Sequence, residues 1–345
     1  MRIFSASQAV SPAVDRTKNY LFRPFKWSTY LKLSAIACIT EGFSANFNFN
    51  TSHHSSSGTG AFTGFHLSNE IIALIILAIL VCIAVGIFIF YLVTRLRFVF
   101  FHCLAHQTRE IRPVWGLYRV QALRFFMLSL IAGLILFVVA ALAALPFVFG
   151  FLNLYRAAGP DGKFDVAGFF ALFLPLIPVV LLLALIFYAV DLILRDFMLP
   201  HMALENASVR AAWRSVCVRI GAEKGLFLFY AFLRLLLPAL AMMALFIILV
   251  IPLFIVYGIL ALIMFGFNAM LANATGVAAV ILIVLEVIFG LFTLCLSLFV
   301  AFSLGGPIAT WIRNYALLFY GGRYQALGDI LSPPPPPPPN TPQAA

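Results

Sequence analysis

Residues 190–215 read VDLILRDFMLPHMALENASVRAAWRS. A long apolar run stops at Asp191, and Arg195, Asp196 and His201 follow within eleven residues. Two acids, a base and an imidazole so close together fit an active site. They equally fit the place where a membrane helix meets water. Asp191 and Arg195 stand four apart, so one helix face carries both and they can pair; Asp196 faces elsewhere. Pro200 is expected to end the helix, because it has no amide hydrogen to continue it. Beyond it, Val209, Ala212, Trp213, Val216 and Ile220 recur at helical spacing, as in a helix lying on a membrane surface. Catalysis by an acid and a base needs a fuller constellation, and the sequence supplies none. The bland reading, a span end with a paired charge, is the one carried forward.

Composition points the same way. Of 345 residues, 63% are hydrophobic and 10% charged, with a mean hydropathy of +1.06. A soluble domain of this length needs far more polar surface. Uncharged runs reach the roughly 20 residues that a spanning helix requires at Ile71–Thr94, Phe125–Tyr155, Val166–Val190, Leu235–Leu285 and Val287–Ile312. The segments between them are too short for a separate folded domain. The net charge of +10 does not imply nucleic acid. The cations sit beside apolar spans, where Lys and Arg mark the cytoplasmic side and meet anionic lipid headgroups. Cys38, Cys82, Cys103, Cys217 and Cys295 are scattered and odd in number, so they read as reduced packing residues. The first twenty residues lack a signal-peptide core, and no cleavage is expected.

The N-terminal SPAVDRTKNYLFRPFKW reads as an amphipathic helix starting near Ser11 with Pro12 in its first turn. Residues 95–124 and 191–225 are rich in Arg and are placed inside, as is the N-terminus. An even number of spans must then separate residue 26 from residue 95. Ile71–Val93 is one, so the weaker segment 30–45, despite Lys32 and Glu41, is expected to be the other. Residues 44–69, with His53, His54 and His66, read as a flexible loop. Leu226–Phe267 would be about 63 Å long as one helix. It reads as a span kinked at Pro238 and Pro252 with a bent continuation, or alternatively as two spans. GGP at 305–307 is expected to end the last span.

The resulting plan is all-α, with six spans forming three hairpins. A cytoplasmic amphipathic segment (1–27) precedes a transmembrane domain (28–304). Its spans lie at about 30–45, 71–94, 126–150, 168–190, 228–250 with a continuation to 267, and 277–303. An interfacial helix (305–325) and a proline-rich tail (326–345) follow. The seven consecutive prolines, 333–339, read as an extended polyproline II end. The four tryptophans, Trp27, Trp115, Trp213 and Trp311, each fall in a basic segment, at spacings of 88, 98 and 98. They are candidate headgroup-level anchors and raise the question of a threefold repeat.

Two further constellations bear on chemistry. His102, His106 and Glu110 stand at i, i+4 and i+8, the spacing of metal ligands on one helix face. One such cluster falls short of the several that membrane di-iron enzymes use, so a polar stripe is the expected reading and no metal or other cofactor is assigned. Glu286 lies deep in AAVILIVLEVIFGLFTLCL, where a carboxylate is costly unless protonated, paired or facing a cavity. Arg234 is the one base inside a strong span. By helical rise the two lie at similar depth, within about 6 Å, and an Arg234–Glu286 pair is the leading expectation.

The segments SPAVDRTKNYLFRPFKWSTYLKL and RDFMLPHMALENASVRAAWRSVCVRIGAEKGLFLFY resemble a family of prokaryotic polytopic membrane proteins of unknown function. That family distantly resembles the membrane domain of glycerophosphoryl diester phosphodiesterases, with Pro200, Ala212, Trp213 and Lys224 at the matching positions. The catalytic barrel of those enzymes has no counterpart here. The resemblance implies a bacterial inner-membrane protein and no particular chemistry. On this reading the chain is a non-enzymatic membrane scaffold or accessory component with both termini cytoplasmic. The bilayer and a membrane protein are its expected partners. The alternative is a transporter or lipid-handling protein with a cavity near Glu286.

Overall fold

The computed structural model describes residues 4–42, 69–158, 166–272 and 274–332. The histidines of the 44–69 segment and the proline run fall outside them. Every regular element among the described residues is helical. In chain order these are α1 (Val10–Phe22), α2 (Trp27–Gly42), α3 (Asn69–Ala105), α4 (Arg119–Ala158), α5 (Val166–Leu192), α6 (Leu199–Leu204), α7 (Val209–Ala222), α8 (Lys224–Leu271), α9 (Val277–Gly321) and α10 (Gln325–Leu331). A π-helical turn, Ile193–Met198, joins α5 to α6.

Five helical stretches are long and apolar enough to cross a membrane: Ile72–Ala105, Arg119–Ala157, Val166–Leu204, Lys224–Leu271 and Val277–Gly321. Their mid-sections expose large apolar side chains, among them Phe137, Leu174, Phe254 and Phe265. Water does not tolerate apolar surface of that extent, and the five helices suggest a multi-pass membrane protein. The count corrects the expected six. The sixth candidate folds as α2, 16 residues long, about 24 Å against a hydrocarbon core of about 30 Å. Its buried residues, Tyr30, Leu33, Ser34, Ala37 and Thr40, recur every three or four positions. One whole face of α2 is therefore spent on protein.

The chain forms two compact units. The first comprises Met1–Asn46, His102–Arg109 and Lys224–Ala345. Its core lies around the C-terminal part of α9, where Thr310, Ile312, Arg313, Asn314, Tyr315, Phe319 and Tyr320 are buried. Tyr230 of α8 stacks on Phe319 (ring centroids 4.2 Å apart) and on Tyr315 (5.3 Å). The expected stop at Gly305-Gly306-Pro307 does not occur, for two reasons. Pro307 cannot donate to the Ser303 carbonyl, and the Tyr30 hydroxyl donates to it instead at 2.6 Å. Gly306 permits α2 to come close: a Cβ there would stand 2.2 Å from that of Ser34. The residues that were expected to break the helix are where α2 crosses it.

Helix α8 is one uninterrupted helix of 48 residues with Pro238 and Pro252 inside, not two spans. It pairs with α9 through Tyr257–Ser297 (2.9 Å) and Asn268–Glu286 (3.3 Å). Eleven residues separate these contacts on each helix, so this end is an antiparallel hairpin in constant register. Nearer the basic end the register slips. From Tyr257 to Tyr230 is 27 residues, while from Ser297 to Tyr315 is 18. The excess, about 13 Å of helix, falls in the stretch that holds Pro238 and Pro252, residues of the kind that kink a helix.

The second unit comprises Phe47–Phe101 and Glu110–Glu223. Here α3 meets the start of α4 through Phe98–Phe125 (5.6 Å) and Tyr91–Phe126 (5.6 Å). Arg95 lies over the Trp115 ring (4.6 Å) and donates twice to the Trp115 carbonyl. Helix α4 packs on α5, with Gly150 pressed against Leu172. The short helices α6 and α7 fold against the π-turn and α4.

Candidate functional site

The charged stretch of the opening quotation is the most chemically dense part of the second unit. Pro200 does not end its helix. The Leu199 amide bonds to the Leu194 carbonyl, five residues back, so the helix widens by one residue just before the proline and runs on through α6. Arg195, Asp196 and His201 are all buried. Arg195 donates to Asp191 at 2.9 Å, which is the pair expected from their spacing.

His201 contacts Glu205 through Nδ1 (3.4 Å) and Arg219 through Nε2 (3.2 Å). A guanidinium can only donate. Nε2 must therefore accept, and Nδ1 carries the proton that Glu205 receives. The imidazole is fixed as one neutral tautomer, with the nitrogen that a general base would use already occupied by Arg219. Sequence reading missed this contact, because Arg219 stands 18 residues from His201 on a separate helix. Helix α7 begins at Ser208, whose hydroxyl accepts from the Ala211 amide, a usual N-terminal cap. Of its expected stripe, Ala212 and Val216 are buried while Trp213 is 49% exposed.

The first unit corrects the other expected pair. Arg234 donates to Glu41 of α2 at 2.9 Å, with both side chains largely buried. Glu286 instead accepts from Asn268. Depth along the membrane was the basis for pairing Arg234 with Glu286, but it says nothing of which helices are neighbours. α2 supplies the acid, and a short segment with one exposed and one buried face gave no hydropathy signal that could reveal it.

Two arginines in this unit cap each other's helices. Arg16 of α1 donates to the carbonyls of Leu104 (2.9 Å) and Ala105 (3.0 Å), the last two residues of α3. Arg109, just beyond α3, donates to the carbonyls of Asn19, Tyr20, Arg23 and Pro24 at the end of α1. The C-terminal carbonyls of a helix lack amide partners and attract cations. Tyr20 adds a bond to the Thr108 carbonyl. Burial raises the Tyr20 phenol above its ordinary pKa and lowers that of Arg16. Cations that the sequence suggested for lipid are thus partly committed to backbone.

The histidine cluster does not form as spaced. Helix α3 stops at Ala105; the His106 amide still bonds to the His102 carbonyl at 3.0 Å, but Gln107 takes a left-handed conformation (φ 54°), so Glu110 leaves the helical register. His102 and His106 remain in ring contact, 4.3 Å apart. Among the described residues no group of three or more His, Cys, Asp or Glu is placed to hold a metal ion. The four tryptophans sit in unlike surroundings. Trp27 opens α2, Trp115 lies in a 3-10 turn, Trp213 is on the short α7, and Trp311 is inside the long α9. The regular spacing is not matched by repeated local structure.

Residues 4–330 match a family of unknown function, DUF7544, and the chain belongs to it. No curated protein and no solved structure matches the chain.

Proposed function

We propose that this member of an uncharacterised family is a non-enzymatic scaffold or accessory component of a bacterial inner membrane. One observation carries the reading. The ionisable side chains that should do chemistry are engaged with one another: His201 with Arg219 and Glu205, Arg195 with Asp191, and Arg234 with Glu41. Two of these pairings, His201–Arg219 and Arg234–Glu41, join separate helices, and groups spent on one another in this way are not poised over a reactant. A distant kinship with the membrane domain of glycerophosphoryl diester phosphodiesterases, through Pro200, Ala212, Trp213 and Lys224, belongs to this reading. It carries no phosphodiesterase activity with it.

Both termini are assigned to the cytoplasmic side. Arg323 donates to the Phe4 carbonyl at 3.1 Å, which supports a common side for the two ends. Five crossings between Ile72 and Gly321 are an odd number. With both ends on one side, the number of crossings over the whole chain is even; residues 43–68 lie outside the described residues.

A second reading has an observation of its own. Tyr257–Ser297 and Asn268–Glu286 form a polar seam inside an apolar hairpin, and intramembrane polar groups often line a route for a solute or lipid. Native mass spectrometry of the full chain, gently extracted from its own membrane, separates the two. A stoichiometric protein partner is the expected result. A retained small molecule or lipid that is lost on Glu286→Gln would replace the scaffold reading with lipid handling or transport.

A further inference from the structure

We propose that the turn Phe22–Trp27, sequence FRPFKW, is a preformed docking site for the headgroup layer of an anionic bilayer. Arg23 and Lys26 take the lipid phosphate, and Phe25 and Trp27 seat beside it at the acyl boundary. The inference rests on the membrane reading above and adds a specific lipid class and place.

Several arginines of the chain already serve protein acceptors. Arg16, Arg95, Arg109 and Arg323 donate to backbone carbonyls, and Arg195 and Arg234 to carboxylates. Arg23 and Lys26 are exposed, and neither has a carboxylate partner among the described residues. Lys18 and Lys32, also exposed, lie on the flanking helices. Within the turn itself, residues 22–27, the two cations have no acid beside them, and such a cluster is complementary to anionic headgroups.

The apolar side of the turn is equally unusual. Phe22, Phe25 and Trp27 are 43%, 43% and 60% exposed, yet they are ordered against one another. Phe25 lies 5.0 Å from Trp27 and 5.6 Å from Tyr30, and Phe22 lies 5.5 Å from Tyr30. Rings with a polar edge or cationic neighbours favour the headgroup level of a bilayer. The turn is also held in shape from behind, because Arg109 grips the Arg23 and Pro24 carbonyls. A preformed site does not lose the ordering entropy that a loose turn would.

The test uses the full-length chain in detergent, titrated with phosphatidylglycerol or phosphatidylcholine and read by native mass spectrometry. The wild type should retain phosphatidylglycerol in preference to phosphatidylcholine. The double substitution R23A/K26A should weaken that retention roughly 10- to 30-fold, from the loss of two near-surface cations. R23K should largely keep it, and F25A/W27A should weaken it without touching the charge. R210A/R214A, on α7, should weaken it less than R23A/K26A does.

Equal retention by wild type and R23A/K26A would overturn the proposal. So would displacement of the lipid by soluble glycerol phosphate at matched concentration, which would make the site one for a free phosphate compound. A carbonate wash of membranes separates this failure from a wider one. If the variant stays in the membrane but its lipid retention is normal, only the docking site is wrong. If wild type itself is washed out, the membrane reading fails and the docking site with it.

Discussion

Two ion pairs in this molecule look alike in distance and differ in almost everything else. Arg195 and Asp191 are 2.9 Å apart and one helical turn apart in sequence, with the acid side chain 41% exposed. Arg234 and Glu41 are also 2.9 Å apart, yet 193 residues separate them and both are largely buried. The first pair is an incident of one helix and would form wherever that helix formed. The second exists only because α2 and α8 have been brought together. Its loss therefore reports on tertiary assembly.

The largest effect should come from Arg234→Gln or Glu41→Gln alone. Each leaves a buried charge without its partner, a cost of about 3–5 kcal/mol, read as a drop in thermal midpoint of the solubilised protein. The double substitution should recover much of the loss, because no charge remains uncompensated. Additive losses would break the comparison. Gly306→Ala should rank close behind, at about 1–3 kcal/mol, since the new methyl would overlap Ser34, backbone included. Ser34→Gly should relieve part of it.

The next effect is smaller. Tyr30→Phe removes the hydroxyl that serves the part-buried Ser303 carbonyl, at a cost of about 0.5–1.5 kcal/mol. Amide exchange in the 303–310 stretch should rise with it. Asp191→Asn should cost less again, about 1 kcal/mol or below, because its carboxylate is part-exposed and screened. If it proved as damaging as Glu41→Gln, the local pair would be tertiary after all. Smallest in energy but cleanest in sign is Cys38. Burial pushes its thiol up to about 11, so at neutral pH its thiolate fraction is lower than that of an ordinary cysteine. Maleimide should label exposed Cys217 well before Cys38, and raising the pH should narrow the gap.

These contrasts mark what was legible in the sequence. The five long apolar helices were, because bilayer-scale hydropathy is a property of the segment itself. Asp191–Arg195 was, because one helical turn fixes it. The fate of 305–321 was not. The two parts of α9 are both apolar, but residues 277–303 turn Leu291, Leu294 and Leu298 outward while 306–321 is largely buried. Hydropathy measures dislike of water, and lipid and protein satisfy it equally. Nor could the prolines be judged alone. Pro200 is carried by a π-turn and Pro307 by a hydroxyl from another helix, and only the second of these remedies lies far away in the chain. Glu41 was hidden for the same reason as α2: a helix too short and too mixed for hydropathy takes its meaning from what it touches.

The reciprocal arginine caps between α1 and α3 also set a timetable. Arg16 leaves the ribosome long before the Leu104 and Ala105 carbonyls it serves, and the end of α1 gains its own cap only when Arg109 emerges. Thr17 waits longer still, for Asn314, to which it is bonded at 2.9 Å. The first helix made is therefore among the last to be finished. Until Arg109 emerges, α1 is an amphipathic segment whose C-terminal carbonyls still lack their cap. A ribosome stalled before residue 109 should expose it to proteases that the completed chain resists.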